Sequence, residues 1–144
     1  RRIVAAVHAG WRGTVNRILT KTLHRMQSAY GTEGTDVIAC IGPGISLDSF
    51  EVGDEVYEAF RTENFPMEYI SVWKPETHKY HIDLWAANRL QLSDFGVPPR
   101  QIENAGICTY RQHEDFFSAR RLGIKSGRIL SGIMLNGQEK GERK

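Results

Sequence analysis

Apolar residues run without a break through Ile3, Val4, Ala5, Ala6 and Val7, the pattern of a strand covered on both faces. His8 ends that run, and the small residues Ala9, Gly10 and Gly13 surround Trp11 and Arg12 in a turn. From residue 14 to about residue 30, Val15, Ile18, Leu19, Leu23, Met26 and Tyr30 recur at spacings of three and four. That spacing predicts one amphipathic helix, with Gly31 as its C-terminal stop. Residues 37–41 read as a second strand closed by Gly42-Pro43-Gly44, and Val56, Tyr57 and Phe60 mark a short helix from residue 53 to about 61. Residues 69–73 read as a strand ended by Lys74-Pro75-Glu76, and Asp83 caps a helix that Gly96 terminates. After a loop begun by Pro98-Pro99, residues 102–108 and 127–135 read as two last strands. Alternating strands and helices predict a layered α/β domain. No repeat or linker divides it, so residues 1–136 read as one domain or the C-terminal portion of one, and residues 137–144 as a polar tail.

Composition narrows the function. The chain has 144 residues, 19 basic and 17 acidic, for a net charge of +2. That balance lacks the clustered basic face that nucleic-acid binding needs. Cys40 and Cys108 lie far apart without CxxC spacing, so a disulfide framework is not expected and a reducing, cytoplasmic compartment is. Both cysteines sit in apolar segments and read as inert core thiols. No apolar run approaches the roughly 18 residues that span a bilayer. A strand that begins at residue 3 without an initiator methionine reads as a fragment or a processed product.

The candidate chemistry gathers at glycine-rich turns. His8, at a strand end that feeds a helix, can offer its imidazole to a metal, and the helix start can receive an anion. Arg12, in the same turn, can clamp a phosphate or carboxylate. The competing reading is a tight turn with Trp11 filling the core and His8 satisfied by a backbone carbonyl. The Gly42-Pro43-Gly44 turn, at a second strand end, would border a crevice if both turns share one sheet edge. Arg120 and Arg121 follow the aromatic pair Phe116-Phe117; in an extended segment one would enter the site and the other face out. They read equally as a surface pair. His78 and His81 read as a solvated hairpin, His24 and His113 as surface residues, and Glu51, Asp54 and Asp83 as helix caps.

Taken in order, Val7-His8-Ala9-Gly10-Trp11-Arg12-Gly13, Ile41-Gly42-Pro43-Gly44-Ile45, Phe50-Glu51-Val52-Gly53, Cys108-Thr109-Tyr110 and Phe116-Phe117-Ser118-Ala119-Arg120-Arg121 closely resemble the YfiH/YlmD family. That family is also labelled laccase-domain or polyphenol oxidase, and its members are described as purine nucleoside phosphorylases. The resemblance implies a layered α/β/β/α sandwich with mixed sheets. It implies phosphorolysis of adenosine, inosine and S-methyl-5′-thioadenosine, with adenosine deamination at a zinc site where copper is the alternative metal. Purine nucleosides and phosphate are then the partners, with no nucleic acid and no membrane, and a homodimer is an expected assembly. In the family pattern His8 is the last of three metal ligands. The other two come from QVHG-like and TADC-like blocks that are absent here, and the role of the second is not transferred to Cys40 or Cys108. Leu122 stands where many members carry aspartate. Arg12, Arg120 and Arg121 are the expected catalytic, anion-positioning residues and His8 the expected metal ligand. Two further readings stay open: a copper-dependent polyphenol oxidase, which five scattered histidines serve poorly, and an inactive fragment that lacks two ligands.

Overall fold

The structure is a computed structural model that describes residues 2–137. A short helix α1 (Trp11–Val15) leads into α2 (Ile18–Tyr30), where the apolar periodicity predicts a single helix. The break has a backbone cause. The N–H of Arg17 bonds the Thr14 carbonyl at 3.0 Å, and Arg17 takes φ 55, so the i→i−4 ladder stops and restarts. Gly31 then ends α2 in the left-handed conformation (φ 69), as its position predicts.

Strand β1 (Ala39–Ile41) lies parallel to β5 (Ile102–Asn104), with Ala39 opposite Ile102. A second, antiparallel sheet has the order β2 (Glu51–Val52), β4 (Lys79–Ile82), β3 (Ser71–Lys74). Between these strands lie α3 (Asp54–Thr62), the single-turn α4 (Met67–Ile70) and α5 (Leu84–Asp94). A last helical turn, α6 (Ala119–Leu122), carries the double arginine. The molecule is thus a mixed α/β fold with one parallel and one antiparallel sheet.

Two apolar clusters hold it together. The larger joins Val15, Phe50, Val52, Val56, Phe60, Ile70, Ile82 and Leu84, with Trp11 and Ile45 packed against it. The smaller joins Leu23, Leu92, Val97 and Ile102. Asp83 caps α5 as its position predicts, its carboxylate accepting the Ala86 N–H at 2.9 Å. Asp54 is the first residue of α3 and makes no cap bond. Glu51 belongs to β2 and is not a cap.

The outer apolar runs depart from the expected strands. Residues 3–7 carry no ladder with any described residue, and Val4, Ala5 and Ala6 are exposed. Residues 127–135 are likewise without a strand, with Leu130 97% exposed. Apolarity signals a demand for burial, but a strand also needs a neighbouring backbone to pair with. None of the described residues supplies one to either run. The strand expected over residues 102–108 is confined to β5 and an isolated parallel bridge between Gly44 and Cys108.

Candidate functional site

The turn that carries His8 is built on close backbone approach. A Cβ on Gly13 would meet the His8 carbonyl at 3.3 Å, and one on Gly10 would meet His8 Nε2 at 3.2 Å. The imidazole therefore folds over Gly10. The ring is exposed and makes no hydrogen bond among the described residues, which overturns the reading of a carbonyl-satisfied histidine. Trp11 does pack against the core. The Arg12 guanidinium stacks 4.4 Å from the Trp11 ring centroid, exposed and without a described carboxylate partner. Helix α1 has only five residues, too short for its start to act as the anion site the sequence suggests.

The Gly42-Pro43-Gly44 turn sits at the carboxyl end of β1, and the loop carrying Cys108-Thr109-Tyr110 follows the carboxyl end of β5. The two run side by side: the Gly44 N–H bonds the Ile107 carbonyl at 3.0 Å, and the Thr109 N–H bonds the Gly44 carbonyl at 3.0 Å. Open α/β sheets place their ligands in the crevice outside such strand ends. Helix α5 backs both turns. The amide of Asn88 donates to Thr14 Oγ1 at 3.0 Å behind the His8 turn. One turn earlier, the Trp85 indole nitrogen lies 3.2 Å from where a Gly44 Cβ would stand. Trp85 Nε1 and Asn88 Oδ1 are both buried without a hydrogen-bond partner among the described residues.

Cys108 is the main correction to the sequence reading of this region. Its sulfur accepts the Ser46 backbone N–H at 3.4 Å and the Ser46 hydroxyl at 3.1 Å, and lies 3.5 Å from Ser49 Oγ. Burial pushes the thiol up. The hydroxyls of Ser46 and Ser49, with the N–H groups of Ser46 and Arg111, outweigh it and bring the thiol down to about 6. The side chain is buried, as expected, but it is not an inert apolar thiol. Cys40, expected in the core, is exposed.

The double arginine lies on a helical turn, so the alternation expected of an extended segment does not apply. Both side chains are exposed. Arg120 donates to the Glu51 carbonyl at 2.6 Å and lies 5.2 Å from the Phe50 ring centroid. Arg121 donates to the Tyr110 carbonyl at 3.4 Å and lies 5.2 Å from that ring's centroid. The aromatic-arginine motif thus ties together the strand after the Gly42–Gly44 region and the Cys108 loop. Its neighbour His81 is buried, not solvated: its Nδ1–H donates to the Leu47 carbonyl at 3.0 Å, leaving Nε2 3.6 Å from Glu51. Burial would raise the Glu51 carboxyl, but the Thr77 hydroxyl and the Lys79 ammonium outweigh it and hold the group below its usual range.

The donor set does not complete a metal centre. Among the described residues no three His, Cys, Asp or Glu side chains converge on a common point, and His8 is a single donor. A tetrahedral zinc needs three protein ligands or more. A cleft of about 280 Å³ lined by Thr20, His24, Gln27, Asp94 and Phe95 lies beside α2 and holds none of the motif residues.

The residues that brace the His8 turn and the Cys108 loop, Thr14, Asn88, Gln91 and Ser46, carry no motif signal of their own. Leu84, Ala87, Asn88, Gln91 and Leu92 are all buried and follow the i, i+3, i+4, i+7, i+8 stripe of a core-facing helix. Two amides inside that stripe are a legible signal, because buried amides need partners.

The Gly42–Gly44 turn and the Cys108 loop lie side by side at the carboxyl ends of a parallel strand pair, bordered by Arg120 and Arg121, the position where open α/β sheets receive ligands. The chain belongs to the family described as multi-copper polyphenol oxidoreductase laccase, whose model matches residues 1–136. It is 65% identical over 133 residues to a purine nucleoside phosphorylase of Bacteroides thetaiotaomicron, covering 92% of this chain and 49% of that protein. It is 50% identical over 131 residues to adenosine deaminase RL5 of an unknown prokaryotic organism, covering 91% and 50%. The crystal structure of YlmD from Geobacillus stearothermophilus superposes with a TM-score of 0.70 at 34% identity, covering 80% of this chain and 43% of that one. The chain spans about half the length of the curated relatives it matches. No described helix is long and apolar enough to cross a membrane.

Proposed function

We propose that the full-length protein is a purine nucleoside phosphorylase. It cleaves adenosine, inosine and S-methyl-5′-thioadenosine with phosphate to the free base and a ribose 1-phosphate, and it also deaminates adenosine. The observation that carries this reading is the convergence of the Gly42–Gly44 turn, the Cys108 loop and the double arginine at the carboxyl ends of β1 and β5. Similarity to relatives named for these two activities supports it.

In phosphorolysis a phosphate oxygen bonds to the anomeric carbon while the glycosidic C–N bond breaks. The bonding pair leaves with the base, which takes up a proton, and positive charge builds on the ribose. Guanidinium groups hold the dianion in line and offset its desolvation. Arg12 has no described carboxylate partner, and Arg120 and Arg121 each commit one donor to a backbone carbonyl. The remaining N–H groups of each fork stay available for a phosphate. His8 is proposed as one metal donor of the full-length protein. The described residues do not by themselves complete a metal site.

The test is inosine with and without phosphate, using the full-length protein. Hypoxanthine and ribose 1-phosphate should appear in equal amounts and only with phosphate. Arg12→Ala should raise the KM for phosphate at least tenfold, which is about 1.4 kcal/mol, and change the nucleoside KM less. Oxygen uptake with a phenol, and no phosphate-dependent base release, would establish the polyphenol oxidase reading that the family description suggests.

A further inference from the structure

We infer that Thr14, Asn88 and Gln91 are positioning residues that set the His8–Arg12 turn in its working geometry. This rests on the reading above that the turn takes part in catalysis. Thr14 and Gln91 are fully buried and Asn88 is 6% exposed, an unusual concentration of polar side chains in a core. Each has a specific target. The Thr14 hydroxyl donates to the carbonyl of Ala9, the residue after His8, at 3.0 Å, while its oxygen accepts the Asn88 amide at 3.0 Å. Asn88 also donates to the Leu84 carbonyl at 2.8 Å, which fixes its amide to α5.

Gln91 works on the other end of the same turn. Its Nε2 donates to the Thr14 carbonyl at 3.2 Å, and its Oε1 accepts the Thr20 N–H at 3.2 Å and hydroxyl at 3.0 Å. One amide thereby staples the end of α1 to the start of α2, across the left-handed Arg17. The three side chains form a continuous buried chain from α5 to the carbonyl beside His8. Core packing alone would not select them, because apolar residues of similar volume fill such space at less desolvation cost. The network holds His8 over Gly10 and keeps Arg12 stacked on Trp11.

The experiment compares Thr14→Val and Thr14→Ser in the full-length protein, with the imidazole resonances of His8 followed by NMR. Valine keeps the shape and removes the hydroxyl; serine keeps the hydroxyl and removes a methyl. Thr14→Val should lower kcat for phosphorolysis at least tenfold, with a smaller change in the nucleoside KM, and shift or broaden the His8 signals. Thr14→Ser should restore kcat to within threefold and return the signals to their wild-type positions. A Thr14→Val protein with wild-type rates and unmoved His8 signals overturns the proposal, as does a serine variant as impaired as the valine one. Should Thr14→Val fail to fold, Asn88→Ala gives the same readouts with the Thr14–Ala9 bond left in place. Wild-type protein without phosphorolysis would sink the functional reading, while the His8 signals still decide the positioning role.

Discussion

Ser46 donates twice to the sulfur of Cys108, through its backbone N–H at 3.4 Å and its hydroxyl at 3.1 Å. The two residues are far apart in sequence and meet because the Gly44–Cys108 bridge extends the parallel pairing past β1 and β5. The sulfur sits in a nest of donors with no cation among its hydrogen-bond partners.

That nest makes Cys108 a thiolate near neutrality. With the exposed Cys40 replaced by serine, ultraviolet thiolate absorbance should titrate with a midpoint of about 6, against the ordinary value of 9.0. Ser46→Ala should move the midpoint upward, since it deletes the strongest opposing donor. Because the folded thiol binds its proton less tightly than the unfolded one, the unfolded chain carries more protons between those two values, and stability rises with pH there. The contribution is complete above 9.0 and is lost as pH falls through about 6. Melting curves should show a wild-type advantage over Cys108→Ala that grows with pH by no more than about 1.4 kcal/mol per unit. A flat difference across that window refutes the assignment.

Phe60 is fully buried and meets Phe65 edge to face at 5.1 Å. Phe60→Ala should cost about 3–5 kcal/mol in urea unfolding through lost burial and the cavity left behind. Ile38, 82% exposed, provides the contrast. Ile38→Ala should change stability by less than about 0.5 kcal/mol.

The cap on α5 is a sharper test, because that helix backs both glycine turns. Asp83→Ala should destabilise by about 0.5–2 kcal/mol, and Asp83→Asn should recover most of it. Equal losses in the two variants would mean that the carboxylate matters for something other than the Ala86 N–H.

Gly10→Ala separates fold from site. Gly10 has φ −65, which alanine adopts without strain. The added methyl meets only the exposed His8 ring, at 3.2 Å. Lower chain entropy in the unfolded state and a weaker N-cap roughly cancel, so stability should stay within about 1 kcal/mol. The His8 signals should nevertheless shift, because the ring has to give way by a few tenths of an ångström. Unchanged signals would show that the ring does not rest there.

The elements with complete local signals were legible in the sequence: α5 between Asp83 and Gly96, α2 up to Gly31, and the glycine turn after β1. What failed depended on partners. The apolar runs at residues 3–7 and 127–135 look like strands by composition, yet no described backbone lies beside them to close a ladder. The break at Arg17 was hidden because the Gln91 amide that bonds to both sides of it, at Thr14 and Thr20, lies on another helix. His81 looked solvated because its burial comes from the distant Leu47 carbonyl. The candidate residues His8, Arg12, Arg120 and Arg121 were readable by motif. The donors that turn Cys108 into a thiolate were not, since serine hydroxyls acquire that role only once the parallel strands align.

The register that sets Ala39 against Ile102 also bears on the order in which the chain assembles. The β3–β4 hairpin joins neighbours in sequence, whereas β1 and β5 must find each other across the whole antiparallel unit. Closing the longer loop costs about 2 kcal/mol more in chain entropy than closing the hairpin. The hairpin and its helices should therefore condense first, and the crevice should be the last region to take shape and the first to open.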